Sequence, residues 1–208
     1  MLTYDDLVTE LEEGWLAAGL HEHAVIESVV PSSHDRSYKA ELFPEHPEPL
    51  TEDTMPPWAE LNFIWTAMHQ LRAEGREIAA EPVDLSWTYT VNVRGMNERN
   101  DHELVRMFQK AVQSGFQRIY PLEADEMEPV AVEVRRIYQG DRQNLNQVYL
   151  QLVSINLTDL SDQWNDRDPR ALRVVIRAEV QLAAAIIQAL SETFTPTGRG
   201  SYRTVDAA

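Results

Sequence analysis

The stretch LSWTYTVNVRGMNERNDHELVRMFQKAVQSGF, residues 85–116, carries two periodicities in succession. Leu85, Trp87, Tyr89, Val91 and Val93 alternate with Ser86, Thr88, Thr90, Asn92 and Arg94, which is the pattern of a strand with one buried face. Gly95 ends that strand. Asn100, with Glu103 following it, reads as a helix N-cap with a reciprocal side-chain bond, so a helix begins near Asp101. Its apolar positions Leu104, Val105, Phe108, Ala111 and Val112 recur at helical steps, and Arg106, Gln109, Lys110 and Gln113 occupy the opposite face. Gly115 is the expected stop. No catalytic motif lies beside either element.

Toward the N-terminus, Tyr4, Leu7, Val8, Leu11, Trp15 and Leu16 predict an amphipathic first helix closed by Gly19. AVIESVV and SYKAELF predict short strands, able to form a hairpin across PSSHDR. Residues 44–57, PEHPEPLTEDTMPP, are too rich in proline and acid to bury and predict a surface loop or arm. Trp58, Leu61, Ile64, Trp65, Met68 and Leu71 recur at helical steps and predict a second helix, with a strand through AELNFIW as the competing reading.

Toward the C-terminus, PVAVEVRRIYQG and QVYLQLVSINL predict strands joined by QGDRQNLN, a connection longer than a tight turn. Thr158 can cap a short helix, DLSDQW, with Leu160 and Trp164 on one face. In ALRVVIRAEVQL, Leu172, Val174, Ile176, Ala178, Val180 and Leu182 alternate with Arg173, Arg177, Glu179 and Gln181, which predicts a long strand. AAAIIQALSETF predicts a helix. The expected fold class is α+β, a mainly antiparallel sheet with helices packed on it, forming a single domain over residues 1–194. Residues 195–208 are expected to be a mobile C-terminal arm.

With 208 residues and 43% hydrophobic content, the chain can bury one sizeable core. The absence of cysteine rules out disulfides, thiolate zinc sites and a cysteine nucleophile. No uninterrupted apolar run approaches the roughly 20 residues that cross a bilayer, and the acidic N-terminus is unlike a secretion signal, so a soluble protein made in the cytoplasm is expected. The net charge of −16, with Lys39 and Lys110 the only lysines, disfavours adhesion to nucleic acid. It fits either a salt-loving source or a surface past which a polyanion moves.

Candidate sites are sparse. His21 and His23, two apart around Glu22, could present both imidazoles on one strand face as zinc ligands, although a solvated loop is the commoner origin of such a pair. Glu123, Asp125 and Glu126 could supply paired carboxylates, against the plainer reading of a solvated acidic loop. No phosphate loop, dinucleotide fingerprint or nucleophile elbow is present. Arg173 and Arg177, with Glu179 on the same polar face, are candidates for pairing with a neighbouring subunit, where a solvated sheet face is the alternative. No cofactor is expected.

The strand, polar break and helix of residues 85–116 resemble the sheet-and-helix unit of tail terminator proteins. LQLVSINLTDLSDQWNDRDPRALRVVIRAEVQL resembles the closing part of terminators that cap contractile phage tails and phage-like injection systems, with Leu160 and Trp164 of LSDQW the sharpest local match. The resemblance covers about half the chain and does not extend to the proline-acid loop or the tail. It implies a structural role: a hexameric ring in the virion tail or neck, assembled in the host cytoplasm, in contact with tube, sheath and neck proteins. DNA would pass through it without specific binding. Trp164, Arg173, Arg177 and Glu179 would then belong to the subunit or tube interface. A different neck, tail-completion or head-closure ring protein is one alternative; a small metal-binding enzyme or ligand-binding domain built on His21 and His23 is another.

Overall fold

The computed structural model describes residues 3–44, 55–76, 83–93, 96, 99–121, 129–139, 147–160 and 169–194. They form an α+β fold in which helices pack on an antiparallel sheet. The chain order is α1 (Tyr4–Ala17), β1 (His21–Val29), β2 (Arg36–Phe43), β3 (Trp58–Trp65), α2 (Ala67–Ala73), β4 (Asp84–Val93), α3 (Asp101–Ile119), β5 (Val132–Gln139), β6 (Gln147–Asp159) and α4 (Pro169–Phe194). The sheet runs β1-β2-β3-β4-β6-β5, and every neighbouring pair is antiparallel.

Local chemistry starts the helices where expected. Thr3 accepts from the Asp6 amide while the Asp6 carboxylate takes the Thr3 amide, a capping box for α1. The Thr3 hydroxyl also donates to Asp6 Oδ2 at 2.7 Å, and this bond, with the one from the Thr3 amide, holds the Asp6 carboxyl below the usual carboxylate range. Asn100 accepts from the Glu103 amide at 2.8 Å and caps α3, while the Glu103 carboxylate pairs with Arg99 in place of the expected bond back to the Asn100 amide.

Directly paired residues in an antiparallel sheet point to the same face. The registers therefore collect Tyr38, Ala40 and Leu42 of β2, Ala59, Leu61, Phe63 and Trp65 of β3, and Leu85, Trp87, Tyr89, Val91 and Val93 of β4 on one buried face. Helices α1, α3 and α4 cover it. Tyr4 of α1 meets Phe63 and Trp65 with ring centroids about 6 Å apart, and Phe108 of α3 meets Phe194 of α4. Gly115 lies inside α3, which runs on to Ile119 instead of stopping there. A Cβ at Gly115 would sit 2.7 Å from the Ile186 Cα, so this glycine permits close contact between α3 and α4.

Two other assignments change. Residues 58–71 do not form a single helix. Strand β3 buries Ala59, Leu61, Phe63 and Trp65 with period two, the competing strand reading, and leaves Ile64 exposed. A second capping box, Thr66 with His69, then begins the short α2.

The larger change concerns residues 171–182, which are the front half of α4 and not a strand. Leu172, Ile176, Val180, Ala183, Ile187 and Leu190 recur at three- and four-residue steps and are all buried, while Val174, which a strand would bury, is 67% exposed. Arginine, alanine, glutamate and glutamine between them favour a helix, so the expected alanine-rich helix simply starts earlier. Arg170–Phe194 is also long and apolar enough by composition to cross a membrane, which counting uninterrupted apolar runs missed because Arg173, Arg177 and Glu179 break them; half of the qualifying window is buried inside the fold. Thr158 and Asp159 end strand β6, so Thr158 does not cap a helix there; residues 161–164 of DLSDQW, residues 140–146 of the QGDRQNLN connection, residues 45–54 and the tail from 195 to 208 lie outside the described residues.

Candidate interface surfaces

Arg173 and Arg177 fall on one face of α4, one turn apart, where α1 runs beside them. Arg173 Nε donates to Glu10 Oε1 at 2.7 Å, and Arg177 stands 3.5 Å from Glu13. The two acids lie one turn apart on α1, so the ladder ties two helices of the same chain. Gly14 lies within this contact: a Cβ there would sit 3.4 Å from Val180 Cγ2, close enough for van der Waals contact and no closer. Both arginines thus have a partner inside the chain, because α4 is a helix with α1 as its neighbour. Side-chain hydrogen bonding to Glu10 further raises the Arg173 pKa.

Glu179 points toward the sheet. Thr158 of β6 donates to Glu179 Oε2 at 2.7 Å, and burial pushes the carboxyl above the usual range, only partly offset by that bond. Tyr89 is raised mainly by its own burial and further by the Glu179 charge. Glu179 therefore takes part in the contact between α4 and the sheet. Trp164, Glu123, Asp125 and Glu126 lie outside the described residues.

His21 and His23 lie close together on β1. His21 stands opposite Phe43 in register, and the His23 ring meets Phe43 edge-on at 5.6 Å. A register shift between Glu22 and Ala24 makes His23 the extra residue of a bulge, so strict alternation does not place the pair. Among the described residues no group of three or more His, Asp or Glu side chains is arranged to hold a metal ion.

Among the described residues, the surfaces that no helix or further strand covers are the second face of the sheet and the sheet's two edges. At the centre of the face, Lys39 pairs with Glu60 and Asn62 donates to Glu60 at 2.8 Å. One end carries Phe43 stacked on Trp58, with the Asn92 amide reaching the Met55 sulfur from the proline segment. Toward the other end Ile64, Ile155 and Leu157 are exposed.

The outer edges belong to β1 and β5. Strand β1 is exposed on nearly every residue and displays Val25, Ile26 and Val29 to solvent. β5 carries Glu133, Arg135 and Arg136; Arg135 pairs with Glu133, and Arg136 pairs with Asp101 and donates to the Arg99 carbonyl. Sequence periodicity located β1 but could not identify it as an edge, since edge position depends on pairings distant in the chain.

No family model, no curated protein and no solved structure matches this chain.

Proposed function

We propose that the chain is a structural ring subunit, a hexameric terminator that caps the tail tube of a contractile phage tail or injection system and joins it to the neck. The observation that carries this reading is a sheet whose two edge strands have no further strand partner among the described residues, one of them displaying apolar side chains. A closed ring covers such edges, which otherwise template aggregation. The net charge of −16 supports it further, because an acidic ring disfavours adsorption of passing DNA. Strand β4 and helix α3 keep the unit that resembles terminators, whereas the closing strand of that resemblance is replaced by α4.

The test is native mass by light scattering at two salt concentrations, then electron microscopy of assembled tails. Six subunits, or a six-fold ring formed at a tube end, supports the reading. A stable monomer without affinity for any tail component overturns it, and stoichiometric zinc retained by that monomer would favour a metal site at His21 and His23. A ring located elsewhere in the neck would favour the head-closure or tail-completion alternative.

A further inference from the structure

We infer that β1 of one copy pairs antiparallel with β5 of the next, so that the six-stranded sheet continues from subunit to subunit. The inference rests on the ring reading and adds to it the joint between subunits. Its first support is strand direction. Six strands alternate in direction across the sheet, so β1 and β5 at its two ends run oppositely. Rotation about an axis roughly along the strands preserves direction from copy to copy. The end of one sheet then meets the start of the next in antiparallel register, and head-to-tail repetition closes into a ring.

The second support is the composition of the edges. Edge strands are normally blunted by lysine, proline or a bulge. β1 contains neither lysine nor proline, and its bulge sits near one end, leaving Ala24–Val29 regular. Its formal charges are Glu22 and Glu27, both acidic, so pairing β1 with another β1 would repeat the same sign. β5 brings Arg135 and Arg136 against a single acid, Glu133, which pairs with Arg135.

One register satisfies both faces. Placing Val29 opposite Val134 brings Glu27 opposite Arg136 on the helix-covered face and Ser28 opposite Arg135 on the other. Glu27 would then join the guanidinium that already holds Asp101. Val29, 57% exposed in the single chain, would gain an apolar neighbour.

The absence of native cysteine makes cross-linking a clean test. In the full-length protein, Val29→Cys with Val134→Cys is oxidised and resolved without reductant, beside each single variant. Ser28→Cys with Arg135→Cys serves as a second pair at more exposed positions, and thermal melting checks that every variant folds. The expected result is a ladder of multiples ending in a closed ring for the double variants, and only scattered dimers for the singles. Six subunits by light scattering without cross-links in either double variant overturns the edge pairing and leaves the ring. Quantitative dimer from Val29→Cys alone assigns β1 to a two-fold contact with itself and overturns the pairing. A monomer at every concentration and without cross-links overturns both.

Discussion

Residues 85–93 and 172–182 carry the same alternation of apolar and polar positions, yet one is an interior strand and the other the front half of the longest helix. The difference lies between the apolar positions and beyond the ends. In β4 the intervening residues are Ser86, Thr88, Thr90 and Asn92, none of them a strong helix former, and the strand ends at Val93. In α4 they are Arg173, Arg177, Glu179 and Gln181, with Val175 and Ala184 also packed on the core, and the segment runs on through three alanines. A strict alternation over six positions also contains every four-residue step. Leu172, Ile176 and Val180 satisfy both periods, and only the continuation to Ala183, Ile187 and Leu190 decides for the helix.

Alanine substitutions at matched positions separate the two regions most widely. Trp87→Ala removes a fully buried indole from β4 and should cost about 3–5 kcal/mol in urea unfolding. Val174→Ala occupies the equivalent phase of the alternation but lies on the solvent side of α4. It should be neutral, or stabilise by up to about 0.7 kcal/mol through helix propensity. A cost at Val174 comparable with that at Trp87 would restore the strand.

The two helix partners of α4 provide the next contrast. Gly115→Ala forces a methyl against the Ile186 backbone and should cost about 1–3 kcal/mol as α3 and α4 move apart. Gly14→Ala meets only Val180 side-chain carbons at ordinary contact distance and should gain up to about 1 kcal/mol from propensity. Equal effects in thermal melts would mean that the α3–α4 contact is no tighter than the α1–α4 contact.

The legible parts of this fold were those in which local chemistry and long-range packing agree. Asn100, with Glu103 after it, marks the start of α3 without reference to the rest of the chain. β4 pairs on both sides, so its buried face matches its own alternation. Gly115 misled because a glycine can end a helix or admit a neighbour, and the neighbour, Ile186, is distant in sequence. The interface candidates were less legible for the same reason. Arg173 and Arg177 are correctly read as sharing a face, but Glu10 and Glu13 become their partners only once α1 and α4 are known to lie side by side.

Glu179 offers a pH-dependent comparison with Glu192, the exposed acid of the same helix. Its carboxyl is raised in the folded chain by burial, so the fold binds that proton more tightly than the unfolded chain does. Its contribution is fully present below the ordinary carboxylate value of 4.5 and is lost as pH rises through the higher folded value. Glu179→Gln keeps an oxygen to accept from Thr158 and removes the charge. The variant should melt higher than wild type at pH 7, with the difference closing as the pH falls below 4.5. Glu192, paired at the surface with Arg118, should show no such gain when changed to Gln. A Glu179 difference that persists unchanged in acid would point to packing instead of charge.

The smallest expected effects belong to the arginine ladder, where the two rungs are unequal. Arg173 reaches a Glu10 side chain that is only 12% exposed, and the second oxygen of that carboxylate is buried without a partner. Arg177 and Glu13 are both about half exposed and stand 3.5 Å apart, a geometry that water and salt screen readily. Arg173→Ala should therefore lower the melting temperature more than Arg177→Ala, since it strands a partly enclosed carboxylate while the other change frees one already in solvent. High salt should erase the Arg177 effect and leave part of the Arg173 effect. If both arginines also met a neighbouring subunit, the two substitutions would instead weaken the ring in light scattering before they altered the melting of the isolated chain. Unchanged assembly alongside a lowered melting temperature would confine the ladder to the contact between α1 and α4, leaving the sheet edges as the surface through which subunits meet.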